Sequence, residues 1–346
     1  MSDISKVFER IIIIEYTLIC SSITIHSDPI PIFRIDLGQP NKILLIITLI
    51  SRRRIMKKTT ILKNMILDPE ILAMPGAHDA LSAKIIEQVG FKAISLGGAA
   101  CSICMLGKPD VGLVTLTEMT THIRNIAEAV SVPVFADGDT GHGNVTNVIR
   151  TTREFEKAGA AGFFIEDQVA PKRCGHKEGK QVISTEEMVA KIKAAVDTRV
   201  DQDLVIMART DSLAVYGMDE AIERSNRYRE AGADMILVDA LTSTDLMIRL
   251  NHEVDAPTMV TQIEEGRTPI LPIAELEKMG FNTVVYPGSS FFAAAYGIRR
   301  AMEEIYNHGA TTAFQDHMIK FYAVDDIVGL DKVRDIEAYY YKDIVK

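Results

Sequence analysis

Cysteine is scarce in this 346-residue chain, which has only four: Cys20, Cys101, Cys104 and Cys174. That is too few for a disulfide scaffold at this length, and the expected setting is a reducing, cytoplasmic one. Basic excess is also lacking. The formal net charge is -9, which removes the electrostatic footprint of a nucleic-acid binder. The apolar stretch from Ile43 to Ile50 falls far short of the roughly 20 residues a membrane-spanning helix needs. No GxGxxG follows the first apolar run, which disfavours a dinucleotide fold. The eight histidines show no HExxH or other zinc spacing. A single CxxC, Cys101-Ser-Ile-Cys104, has no second CxxC and no redox context, so the pair is read as packing after a strand. What is present, 47% hydrophobic and 25% charged residues, is ordinary for a soluble globular protein.

Residues 1–55 differ from the rest. They carry runs of isoleucine, little helical periodicity and the triplet Arg52 to Arg54. Asp3, Glu9 and Glu15 interrupt any signal-peptide pattern. Met56 followed by Lys57 and Lys58 reads as a better start. Residues 1–55 are therefore expected to be a non-catalytic or disordered extension, with a targeting or regulatory tail as the alternative, and residues 56–346 one catalytic domain.

From Met74 one unit recurs: an apolar β-type run, a polar or glycine-bearing loop, an amphipathic helix, then glycine. Gly90, Gly159, Gly232 and Gly280 each stand where a helix would end before a strand. Eight strand candidates result, at 72–75, 93–96, 133–136, 162–165, 204–208, 235–238, 257–260 and 283–286. Alternation of strands and helices at this spacing implies a parallel sheet. Eight units favour a closed (β/α)8 barrel over an open sheet.

In such a barrel chemistry sits at the C-terminal ends of the strands. Those positions are acidic: Asp137-Gly-Asp139-Thr-Gly-His-Gly-Asn144, then Glu166-Asp167-Gln168, then Asp239. Like charges at one mouth need a cation, and hard carboxylate oxygens suit Mg²⁺ or Mn²⁺. The competing reading is that such residues cap the following helices. Ala208-Arg209-Thr210-Asp211 sets an arginine among the acids, either to bind a substrate carboxylate or to form a structural ion pair. The basic, glycine-bearing segment Pro171 to Lys180 has the character of a lid. Within it, Cys174 beside Lys172, Arg173 and His176 is expected to be exposed, with a lowered pKa, and available for proton transfer.

Together these motifs, with Pro75-Gly-Ala-His-Asp-Ala-Leu-Ser82, resemble the isocitrate lyase and phosphoenolpyruvate mutase superfamily from about Met56 to at least Tyr306. The Lys172-Arg-Cys-Gly-His176 loop is similar to that of its lyases. The resemblance implies a barrel with a C-terminal helical extension, and a homotetramer that exchanges its last barrel helix between subunits. It also implies a catalytic loop that closes over the substrate. Asp137 and Asp139 would hold Mg²⁺ with help from Asp110 and Glu166. Gly97, Gly98 and Ala99 would cradle the keto-acid carboxylate, and Gly175, Arg209, Asp239 and Thr261 would complete the substrate site. Cys174 would act as general acid, with Lys172, His176 and Arg209 in the catalytic set. The expected reaction is cleavage of a small hydroxy-acid to pyruvate. Asp239, Thr261 and an apolar ring at Phe292 depart from the methylisocitrate pattern, so 2,3-dimethylmalate, giving pyruvate and propionate, is the expected substrate. 2-Methylisocitrate cleavage, oxaloacetate hydrolysis or decarboxylation, and a non-catalytic metabolite-binding scaffold are the alternatives.

Overall fold

Short runs rich in Val, Ile, Phe and Met form strands, and each is followed by helix that carries the chain back to begin the next strand in parallel. The computed structural model describes residues 56–342, so the expected extension over residues 1–55 lies outside the described residues. Helix α1 (Lys58–Leu67) leads into β1 (Leu72–Pro75), α2 (Ala80–Val89), β2 (Ile94–Leu96), α3 (Gly98–Leu106) and α4 (Leu116–Ala129). Then come β3 (Val134–Asp137), α5 (Val145–Lys157), β4 (Gly162–Glu166), α6 (Thr185–Thr198), β5 (Val205–Thr210), α7 (Leu213–Tyr216) and α8 (Met218–Glu230). The barrel is completed by β6 (Met235–Val238), α9 (Thr244–Glu253), β7 (Thr258–Thr261), α10 (Ile273–Lys278), β8 (Thr283–Tyr286) and α11 (Ser289–His308). The C-terminal extension consists of α12 (Phe321–Val328) and α13 (Leu330–Tyr341).

Every strand pairs in parallel with its sequence neighbour from β2 to β8, and β8 pairs with β1. The ring closes where Gly76 bridges Ser95 and the Ala77 amide donates to the Ser95 carbonyl at 2.9 Å. The result is the expected (β/α)8 barrel. The glycines at 90, 159, 232 and 280 all have positive φ, as the helix-ending positions require.

Side chains alternate across each strand. One set, including Met74, Phe135, Met207, Leu237 and Met259, fills the barrel, and α1 inserts Leu62 and Ile66 into the same cluster. The other set, including Ile94, Ala136, Ile165, Ile206 and Val260, packs in the larger cluster shared with the helices. Asp137, Glu166 and Arg209 belong to the strands themselves rather than to the loops beyond them, because Asp137 pairs with Phe164 and Glu166 with Arg209 in the ladder. α11 buries only Phe291 and Ala301, and α12 and α13 bury no residue. Among the described residues no helix is long and apolar enough to cross a membrane.

Candidate active site

Each mouth residue sits two positions beyond an interior core residue of its strand. Phe135 precedes Asp137, Met207 precedes Arg209, Leu237 precedes Asp239 and Met259 precedes Thr261, so all four side chains project inward over the packed barrel. The cavity they surround is about 100 Å³, with Gly97, Gly98, Ala99, Asp110, Cys174 and Gly175 on its polar side. Lys172 and His176 also line it, while Phe164, Met259, Ile263, Val285, Pro287 and Phe291 form an apolar wall. A wider cleft of about 280 Å³ lies near α1 and the start of β1. Its Lys92 and Glu70 pair at 3.3 Å, both well exposed.

The acids are buried and in excess. Asp137 accepts from the Gly98 and Asp139 amides, both at 2.8 Å. Burial, then the neighbouring Asp139, push its carboxyl up to about 6 against the pull of Lys172 and Arg209. Asp139 has φ 47, and its buried Oδ1 has the Lys172 ammonium as its ion-pair partner at 2.9 Å. Glu166 is fully buried, its Oε2 faces Arg209 Nε at 3.3 Å while Oε1 has no hydrogen-bond partner among the described residues, and burial drives its pKa well above the ordinary range. Lys172 Nζ lies 2.7 Å from Asp110 and 2.9 Å from Asp139. Burial alone would lower the Lys172 pKa, but the surrounding carboxylates raise it well above its usual value. Neither Asp137 nor Asp139 caps a helix. Asn144 caps α5, so the capping alternative fails at both residues.

Six carboxylates, from Asp110, Asp137, Asp139, Glu166, Asp211 and Asp239, therefore face three cations, Lys172, Lys180 and Arg209. The unpartnered, buried Glu166 Oε1 and this charge imbalance fit a hard divalent cation. Among the described residues no three His, Cys, Asp or Glu side chains converge to cage a metal alone. Mg²⁺ does not require that, since it commonly binds through one or two carboxylates plus water and substrate.

Arg209 resolves as an ion pair within the protein. Its Nε and Nη2 donate to Asp211 at 2.9 and 3.1 Å, and Nη2 also donates to Asp239 at 3.1 Å. Its Nη1 has no hydrogen-bond partner among the described residues, which leaves one edge for a ligand in the cavity it lines. In the glycine cradle the Gly98 amide is spent on Asp137. The amides of Ala99 and Ala100, in the first turn of α3, have no intrahelical acceptor and remain suited to an anion.

The lid departs from expectation in its charges. Lys172 turns into the acids, Lys180 is buried against Asp211 at 2.9 Å, and Arg173 donates to the Glu178 carbonyl at 3.3 Å. Cys174 is half-buried rather than exposed, and its pKa is raised rather than lowered. Burial is the main cause, and Asp110 and Asp239 add to it. The basic neighbours in sequence do not offset this because most of their charge is directed elsewhere. His176 Nδ1 accepts from the Arg267 amide at 3.0 Å, so Nε2 carries the proton of the neutral ring; that atom is buried without a partner among the described residues. Burial holds the imidazole below its usual pKa.

Two further expectations need correction. Phe291, not Phe292, lines the cavity, and Phe292 is 40% exposed. Of the CxxC pair only Cys101 packs in the core, near Met119, whereas Cys104 is exposed. Gln168, quoted in the sequence only as the end of Glu166-Asp167-Gln168 and given no role there, binds both backbone groups of Arg173 at 2.9 Å. Its only signal was its place after Glu166-Asp167.

Residues 62–306 match the family model described as phosphoenolpyruvate phosphomutase. The chain is 45% identical over 279 residues to the 2,3-dimethylmalate lyase of Eubacterium barkeri, covering 81% of this chain and 96% of that protein. A solved structure of oxaloacetate acetylhydrolase with the inhibitor 3,3-difluorooxalacetate superimposes with a TM-score of 0.79 at 30% identity, over 82% of this chain and 97% of that one. A phosphonopyruvate hydrolase complex with oxalate and Mg²⁺ gives a TM-score of 0.76 at 29% identity, over 82% and 99% of the two chains.

Proposed function

Because this chain belongs to the phosphoenolpyruvate phosphomutase family, we propose that it is a Mg²⁺-dependent carbon-carbon lyase that cleaves 2,3-dimethylmalate to pyruvate and propionate. The observation that carries the substrate class is the balance of the cavity wall. Lys172 and Arg209 are its only Lys or Arg side chains among the described residues, and both are already paired with acids. A third substrate carboxylate would have no permanent cation to meet it. The apolar wall around Phe164, Ile263 and Phe291 instead suits alkyl substituents. Similarity to a protein named 2,3-dimethylmalate lyase supports the same choice.

Asp137 and Asp139, with Asp110 and Glu166 around them, would hold the metal. Bound there, Mg²⁺ would supply Lewis-acid stabilisation of the negative charge that develops on the substrate oxygens. Arg209 Nη1 and the α3 amides orient the carboxylate next to the carbinol carbon. Transfer of the C2 hydroxyl proton to a carboxylate of the acidic mouth, with rupture of the C2-C3 bond, leaves pyruvate and a propionate carbanion. Cys174 Sγ delivers the proton that converts this carbanion to propionate. A thiol held protonated at neutral pH by burial suits a general acid better than the thiolate expected from its sequence neighbours. The neutral His176 Nε2–H can donate to the departing carboxylate.

This reading assigns the chemistry to residues 56–346 and no catalytic part to residues 1–55. It includes a reducing, cytoplasmic setting, supported by the three free cysteines among the described residues. It also includes a homotetramer with α11 exchanged between subunits, supported by the exposure of Tyr296, Ile298, Met302 and Tyr306 along that helix.

The test is pyruvate release, coupled to lactate dehydrogenase, with 2,3-dimethylmalate and 2-methylisocitrate assayed separately in Mg²⁺ and with Cys174→Ser as control. Release from the first, abolished by the substitution, is the expected result. Release only from 2-methylisocitrate overturns the substrate reading. A second reading, oxaloacetate hydrolysis, is favoured by the likeness to oxaloacetate acetylhydrolase. It predicts oxalate from oxaloacetate and no pyruvate from either acid.

A further inference from the structure

We propose that Lys180 and Asp211 are positioning residues that latch the Pro171 to Lys180 lid onto the barrel and so hold Cys174 over the cavity. The inference deepens the lyase reading and rests on it for its catalytic consequence. Lys180 Nζ donates to Asp211 Oδ1 at 2.9 Å and also to the carbonyl of Gly175, and the two side chains are only 1% and 0% exposed. Asp211 Oδ1 also accepts from Arg209 Nη2 at 3.1 Å. One carboxylate oxygen thus joins the lid to the arginine at the cavity wall.

Asp211 is fixed from behind. Its amide donates to Asp167 Oδ1 at 2.9 Å. Asp167 Oδ2 in turn accepts from Thr210 at 2.7 Å, Tyr228 at 2.8 Å and Arg224 at 3.1 Å. The network anchors Asp211 to β4, β5 and α8, so tension at the lid is resisted by the barrel. The lid is held at two points on either side of one residue. Gln168 binds the backbone of Arg173, Lys180 binds that of Gly175, and Cys174 stands between them. A loop meant only to cover the mouth could do so with apolar contacts. Burying a lysine and an aspartate carries a desolvation cost that such contacts avoid. Its result here is a directional tether at the residue next to the thiol.

The experiment measures the rate of iodoacetamide labelling at each cysteine of the full chain by peptide mapping, in the native protein, Lys180→Met and Asp211→Asn. Cys101, buried in the core, reports on loss of the barrel fold. The expected result is Cys174 labelling at least about tenfold faster in both variants with Cys101 still protected. A fall in kcat should exceed any rise in KM, because the thiol is misplaced while the cavity remains. Cys174 labelling at the native rate in either variant that keeps Cys101 protected overturns the proposal. Cys101 labelling in both variants overturns it too, since the pair would then hold the barrel rather than the lid. Labelling requires no turnover, so inactivity toward every acid would remove the lyase reading and leave the latch result standing.

Discussion

Replacing Gly175 with alanine adds one methyl group where the lid rests on the Arg209–Asp239 pair. A Cβ there would overlap Asp239 Oδ2 and Arg209 Nη2 and come within 2.6 Å of Asp239 Cγ. The nearest atom, Asp239 Oδ2, would be 1.6 Å away where ordinary contacts are about 3.5 Å, so something must move by roughly 2 Å. Either the ion pair yields or the lid rises. Arg209 and Asp239 are almost fully buried and paired at 3.1 Å, and breaking a buried pair costs about 3–5 kcal/mol. Lifting the lid at Gly175 stretches the charge-assisted bond from Lys180 to its carbonyl, worth about 1.5–3 kcal/mol, and leaves the Lys180–Asp211 pair in place. The lid should therefore move. Even about 1 Å of displacement at a reacting group can cost about 10²-fold in rate, or about 2.7 kcal/mol of transition-state stabilisation. The expected outcome is a kcat/KM for pyruvate release about 10²-fold lower, with Tm within about 3 °C of the native protein if about 1 kcal/mol is lost. Activity within threefold of native would refute the packing argument. A much larger fall in Tm would show that the ion pair, not the lid, gave way.

Mg²⁺ at about 100 times its Kd should stabilise the protein by about 2.7 kcal/mol. EDTA should reverse the gain and Glu166→Gln should blunt it, as thermal melts would reveal; identical melts with and without Mg²⁺ would sink the metal assignment. The pH profile follows from Cys174. Its pKa is raised and its protonated form is the acid, so activity should persist above the ordinary thiol range and fall only as pH passes the raised value. An alkaline limb near neutrality would contradict this. Phe291→Ala removes a ring from the apolar wall. A loss of about 1–3 kcal/mol of substrate discrimination should appear as a kcat/KM for 2,3-dimethylmalate about tenfold lower or worse, and an unchanged value would place the alkyl groups elsewhere.

Short apolar runs and glycine punctuation are local properties of the chain, and for that reason the strands, their order and the acids at 137, 166 and 239 were legible in the chain itself. Shorter helices were less so. α3 begins with Gly98-Ala-Ala and α10 has six residues; such helices depend on what they pack against more than on propensity. Phe291 and Phe292 differ by one position, yet a helix turns about 100° between them, and only the docking of α11 decides which ring meets the cavity. Arg209 could equally have bound a ligand or an acid from its sequence alone, and the fold supplies Asp211 and Asp239 to answer it. Cys174 shows the limit most sharply. Its neighbours in sequence are basic, but Lys172 turns into the acids and Arg173 to the lid backbone, while Asp110 and Asp239 arrive from distant loops. Composition along a chain determined which strand ends are acidic. Protonation depends on burial and on which charges come within a few ångströms, and those were decided only when the barrel closed and the lid settled on it.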